Sequence, residues 1–142
     1  MIIAANARKK IRALSGLLLV SQTDSSVMNR PRDVEAIVTF LPTEHGGRRG
    51  PAFSDYRPQF YYAGHDWDAP HEYPDVTQVN PGDTVRAYLA FLSPQEHVGR
   101  VKPGMPFLIR EGQKIVGYGS ITKLLDLEKS AEAARSRTKG AG

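Results

Sequence analysis

The sequence predicts an all-β fold, a small closed antiparallel β-barrel, Greek-key-like and six-stranded, with flexible or helical tails at the N- and C-terminus. Three observations carry this. Between residues 34 and 122 the apolar side chains recur with period two. Glycine and proline, ten and nine of them, punctuate that stretch at short intervals. No helical stripe is sustained between the strands, so nothing there supplies a parallel crossover. The expected organisation is a basic extension over 1–32, a barrel over 33–125 and a C-terminal tail over 126–142.

Taken in order, residues 34–40 are rich in β-branched and aromatic side chains and form the first expected strand. Residues 59–63 form a second. Over 84–91 the alternation is clean: Val85, Ala87, Leu89 and Phe91 share one face, and Arg86, Tyr88 and Ala90 the other. The turn Asn80-Pro81-Gly82-Asp83 launches it. Residues 107–110 and 114–122 are joined by Glu111-Gly112-Gln113, a tight hairpin. Gly117 and Gly119 in the last strand predict close backbone packing or a bend.

The ends differ. Arg8-Lys9-Lys10 and Arg12 precede Ala13-Leu14-Ser15-Gly16-Leu17-Leu18-Leu19-Val20, an order similar to a secretory leader, but the apolar run is at the short limit and no good small-x-small cleavage site follows. Two other readings stand about equal. Ile3, Ala7, Ile11, Leu14 and Leu18 fit a short basic amphipathic helix, whereas Met28 before Asn29-Arg30-Pro31-Arg32 fits a start that makes the preceding residues a dispensable extension. Residues 125–137 favour helix through Ala, Glu, Lys and Arg, and a solvated, fraying tail is expected there.

Composition narrows the function. With no cysteine, a disulfide framework and thiolate chemistry are excluded, which favours a reducing, cytoplasmic setting. No stretch reaches the apolar length of a membrane span. The net charge is +4, but residues 34–125 hold nine basic and ten acidic side chains, so the excess sits in the tails. Any nucleic-acid contact is therefore local rather than a broad cationic face.

His65, Asp66, Asp68, His71 and Glu72 crowd around Trp67, yet their spacing matches no established metal site and a solvated surface loop is expected. Phosphate-loop, nucleophile-elbow and zinc-helix motifs are absent, so neither an enzyme nor a cofactor is expected.

The most informative stretch is Gly46-Gly47-Arg48-Arg49-Gly50-Pro51, a stiffened loop that displays two arginines ahead of the aromatic run Tyr56-Arg57-Pro58-Gln59-Phe60-Tyr61. Together with Pro81-Gly82-Asp83 and Ile109-Arg110-Glu111-Gly112 followed by Val116-Gly117-Tyr118-Gly119, the order and spacing resemble the C-terminal β-barrel domain of elongation factor Tu across 33–125.

That resemblance implies a standalone third-domain-like module that neither binds nor hydrolyses a nucleotide and contacts the T-stem backbone of aminoacyl-tRNA. Carried over by position, the contacts fall on Arg48, Arg49, Gln59, Glu111 and Gly112. Arginine suits phosphate, glutamine and the glycine amide suit ribose or phosphate, and the glutamate accepts from a 2′-hydroxyl. Arg49 stands where the family commonly has histidine, Ser93 where bacterial members often have lysine, and Asp68 near a usual threonine. A phosphate partner is thereby lost and an acid added. For Arg48, Tyr56 and Arg57 an alternative role is to brace the loop against the barrel. A second function class is a protein-interaction module that reuses the family's exchange-factor or interdomain surfaces, with another translation factor as partner. A third is a degenerate fragment with neither partner.

Overall fold

The computed structural model describes residues 30–141, with side chains through residue 137. The N-terminal basic cluster, the leucine run and Met28 lie outside the described residues. The chain runs through β1 (Val34–Phe40), β2 (Ala52–Phe53), β3 (Gln59–Tyr62), β4 (His65–Asp68), β5 (His71–Glu72), β6 (Gln78–Val79), β7 (Thr84–Leu89), β8 (Pro106–Glu111) and β9 (Lys114–Leu124), then the helix α1 (Leu127–Ala141). Seven strands make one curled antiparallel sheet in the order β4-β3-β8-β9-β1-β7-β5, and β2 pairs with β6.

This is a mostly-β fold with one helix, and it departs in detail from the six strands expected. Residues 65–72, expected as a surface loop, instead supply both edges of the sheet. Pro70, which has no N–H to donate, breaks this segment. Its first half pairs with β3 and its second with β7. Across the break the Leu92 N–H donates to the Asp68 carbonyl and the Ala90 N–H to the Pro70 carbonyl, both at 3.1 Å.

Alternation puts Val34, Ala36, Val38 and Phe40 of β1 inward, with Ala87 and Leu89 of β7 and Ile121 of β9 paired to them and Val116 of β9 buried in the same core. Gly119 is where the Phe107 ring needs room, and a side chain at Gly117 would meet the Thr39 carbonyl at 2.6 Å. Close packing thus explains both glycines. The aromatic core has two parts. In one, Phe60 stacks on Phe107 at 4.3 Å and meets Phe91 edge-on at 5.0 Å, while Phe91 stacks on His97 at 4.2 Å. In the other, Phe40, Tyr56, His71 and Tyr73 cluster, with Tyr73 bonded to His71 Nδ1 at 2.9 Å.

The C-terminal segment is helical as expected, but it is docked rather than solvated along its length. Leu127, Ala131 and Ala134 are buried on one stripe. Asp33, wholly buried, ties the helix down: one carboxylate oxygen accepts from the Ser130 hydroxyl and the other from the Phe91 N–H at 2.8 Å. Among the described residues no helix is long and apolar enough to cross a membrane.

Candidate nucleic-acid interface

The arginine loop folds back on the end of β1 before it displays anything. A 3-10 turn, Thr43–His45, ends at Gly46 with φ of 92°, and the Gly47 N–H donates to the Pro42 carbonyl at 2.9 Å. The Thr43 hydroxyl donates to the Arg48 carbonyl. The backbone of Arg48 is therefore fixed before its side chain is placed.

The Arg48 guanidinium donates to Glu111 Oε2 and, at 3.1 Å, to the Pro51 carbonyl, with its centre 4.5 Å from that of the Tyr56 ring. The Tyr56 hydroxyl donates to the same Glu111 oxygen at 2.5 Å. Two sequence-distant pieces, the loop and the β8–β9 hairpin, are thus clamped together by three side chains. Burial works against the Glu111 carboxylate, but the Tyr56 and Arg48 bonds outweigh it and hold its pKa below the usual value. Burial likewise opposes the Arg48 charge, and the Glu111 and Tyr56 interactions raise its pKa nevertheless. The phenol of Tyr56 is pushed up, first by burial and then by Glu111, and stays neutral.

Arg49, the next residue, is exposed and has no partner among the described residues. On the hairpin, Gly112 takes φ of 62° as the first of two loop residues, the arrangement of a type II′ turn, and is exposed. Gln59 begins β3 with Arg110 across from it on β8 and Asp68 on β4. It is half-buried, and its side-chain oxygen has no hydrogen-bond partner. The five residues singled out from sequence thus divide: Arg48 and Glu111 bond to each other, Gln59 lies one register step from Glu111, and Arg49 and Gly112 face solvent. Tyr56 braces the loop as the bracing alternative has it, while Arg57 is exposed and has no partner among the described residues.

The two departures from the family pattern fall close together. Asp68 opposes Gln59, and Ser93 follows Leu92, whose N–H reaches the Asp68 carbonyl. Sequence reasoning passed over Arg110, which stacks over Tyr61 at 4.4 Å and pairs with Asp66 at 3.4 Å. Its only sequence signal is its place beside Glu111. The other polar residues around Trp67 disperse: Glu72 pairs with Arg32, and His71 turns inward to Tyr73. Among the described residues, no group of three or more histidines and carboxylates is placed to hold a metal ion.

A family model for the elongation factor Tu C-terminal domain matches residues 28–125, from before β1 to the end of β9 and short of α1.

Proposed function

Because the chain belongs to the elongation factor Tu C-terminal domain family, we propose that it acts in translation as a cytoplasmic contact module for the T-stem backbone of aminoacyl-tRNA, with no GTPase activity of its own and no cofactor. The residues assigned to the contact are Arg48, Arg49, Gln59, Glu111 and Gly112, on a sheet closed into the family's barrel. One observation carries this reading: the Arg48–Glu111 pair joins the loop to the hairpin, and beside it Arg49 carries an uncommitted charge. In this division of labour Arg48 and Glu111 shape the surface, Arg49 meets a phosphate, and Gln59 and the Gly112 amide bond to the sugar–phosphate backbone.

With so few phosphate contacts, binding is weak and salt-sensitive. In fluorescence titrations of charged tRNA from low to moderate salt, Arg49→Ala is expected to flatten the log–log salt slope by about one. An unchanged slope and affinity, or no binding by the native chain at low salt, sinks the assignment.

A partly exposed row favours a second reading, a protein-interaction module on the family's exchange-factor or interdomain surface. Tyr61, Leu108 and Tyr118 align across β3, β8 and β9, and Tyr118 is 50% exposed. Recovery of RNA but no protein in a pull-down counts against it.

A further inference from the structure

Helix α1 lies beyond the family-matched residues, and with the segment after β7 it encloses a groove of about 590 Å3 that the strands alone would not form. Lys129, Ala133 and Arg137 recur every fourth residue along its wall, on the flank of the stripe that docks the helix. Phe91, Leu92 and Pro94 line the other side, Leu92 being 45% exposed. Ala133, itself exposed, leaves the space between the two long cations open.

Positive charge is in excess in the lining. Arg30, at the groove's end, is matched by Asp55 at 2.7 Å. Lys129 and Arg137 form no ion pair among the described residues, and Asp126 is the one carboxylate in the lining. Stacking bases would find no platform, since Phe91 is buried between His97 and Phe60. Nor does charge favour the chain's own N-terminal segment, where Arg8, Lys9, Lys10 and Arg12 stand against Asp24 alone.

We propose that this groove docks a short acidic segment of a partner protein, with apolar side chains against Leu92 and carboxylates on Lys129 and Arg137. The site is separate from the arginine loop, so each can fail without the other. Binding is steered by charge and held by the apolar contacts.

The test is fluorescence anisotropy on the full chain, with a short labelled peptide of leucine and glutamate at helical spacing as probe. The native chain is expected to bind it, more weakly as salt rises. The charge-reversed variant K129E/R137E is expected to lose about tenfold or more in affinity. Ala133→Trp, an exposed substitution that fills the groove, is expected to do the same, and a probe with serine in place of leucine to lose binding. No binding by the native chain, or equal binding by K129E/R137E and the native chain, overturns the proposal. Tighter binding after L18S/L19S also overturns it, because the chain's own segment would then be the occupant. So does a loss of tRNA affinity in K129E/R137E without loss of the peptide, which would make the groove part of a nucleic-acid surface.

Discussion

Gly47→Ala is expected to destabilise the domain by about 3 kcal/mol or more, because the new methyl group would sit on backbone rather than on a side chain that can move aside. A Cβ there lies 2.7 Å from the Leu41 carbonyl carbon and 2.8 Å from the Pro42 oxygen, and it collides with the Leu41 oxygen. The neighbouring glycines are controls. Gly46→Ala has open space but a φ of 92°, so it carries only conformational strain of about 1–2 kcal/mol. Gly50→Ala meets nothing within 4 Å and has no positive φ, so its unfolding free energy should stay within about 0.5 kcal/mol of native. Urea unfolding of the three variants checks the order. Equal effects at Gly47 and Gly50 would mean that the loop is not folded back on β1 as described.

Acid is expected to weaken the domain already above the pH range in which its carboxylates titrate. Burial lowers His71 from 6.5 to about 3, and burial with the nearby Arg100 charge lowers His97 from 6.5 to about 4. Both rings are held neutral when folded, whereas the unfolded chain takes up protons below about pH 6.5. Their contribution is therefore complete above that pH and declines as pH falls toward the folded values, at up to about 1.4 kcal/mol per pH unit for each ring. By about pH 5 the two together remove roughly 4 kcal/mol, a large share of a small domain's stability.

Other groups modify the profile without reversing it. Glu35, Asp75 and Glu111 have lowered pKa values, so their stabilisation is present above the ordinary carboxylate range and is lost as pH falls through the folded values. Asp33 is raised by burial and has the opposite sign: its contribution is fullest below 3.8 and is lost as pH rises through the folded value. Urea midpoints between pH 4 and 7 measure the sum. His71→Gln and His97→Gln should each remove slope between pH 6.5 and 5, whatever they do to stability at pH 7. A profile that remains as steep in both variants would contradict the burial of these rings.

What could be read from the chain depended on how each segment satisfies its neighbours. β1, β7 and the β8–β9 hairpin are buried on one face, so alternation and turn glycines announce them. β4 was invisible because His65, Asp66 and Asp68 leave Trp67 as its only apolar residue, and the strand exists through backbone pairing to β3. β2, β5 and β6 are two residues each, too short to show a period. The docking of α1 was missed for a different reason. Its buried stripe is Leu127, Ala131 and Ala134, and alanine reads equally well as a solvated helix.

The candidate interface was legible as residue types in a family order but not as a circuit. Arg48 and Glu111 are 63 residues apart in the chain, and no local pattern says that they meet or that Tyr56 shares the same oxygen. That meeting changes the chemistry of the surface. An arginine matched by a carboxylate contributes shape, and the neighbouring unmatched arginine contributes attraction.

A double-mutant cycle on Arg48→Ala and Glu111→Ala, read in urea and in tRNA titration, tests that division most directly. The pair is partly buried, and each single change strands a charged partner, so the expected coupling in stability is about 1–2 kcal/mol. In the titrations the double variant should keep the Arg49-dependent part of the salt slope. Additive losses of stability, together with a salt slope that drops when Arg48 alone is removed, would show that Arg48 meets RNA itself and that the clamp is not what builds the surface.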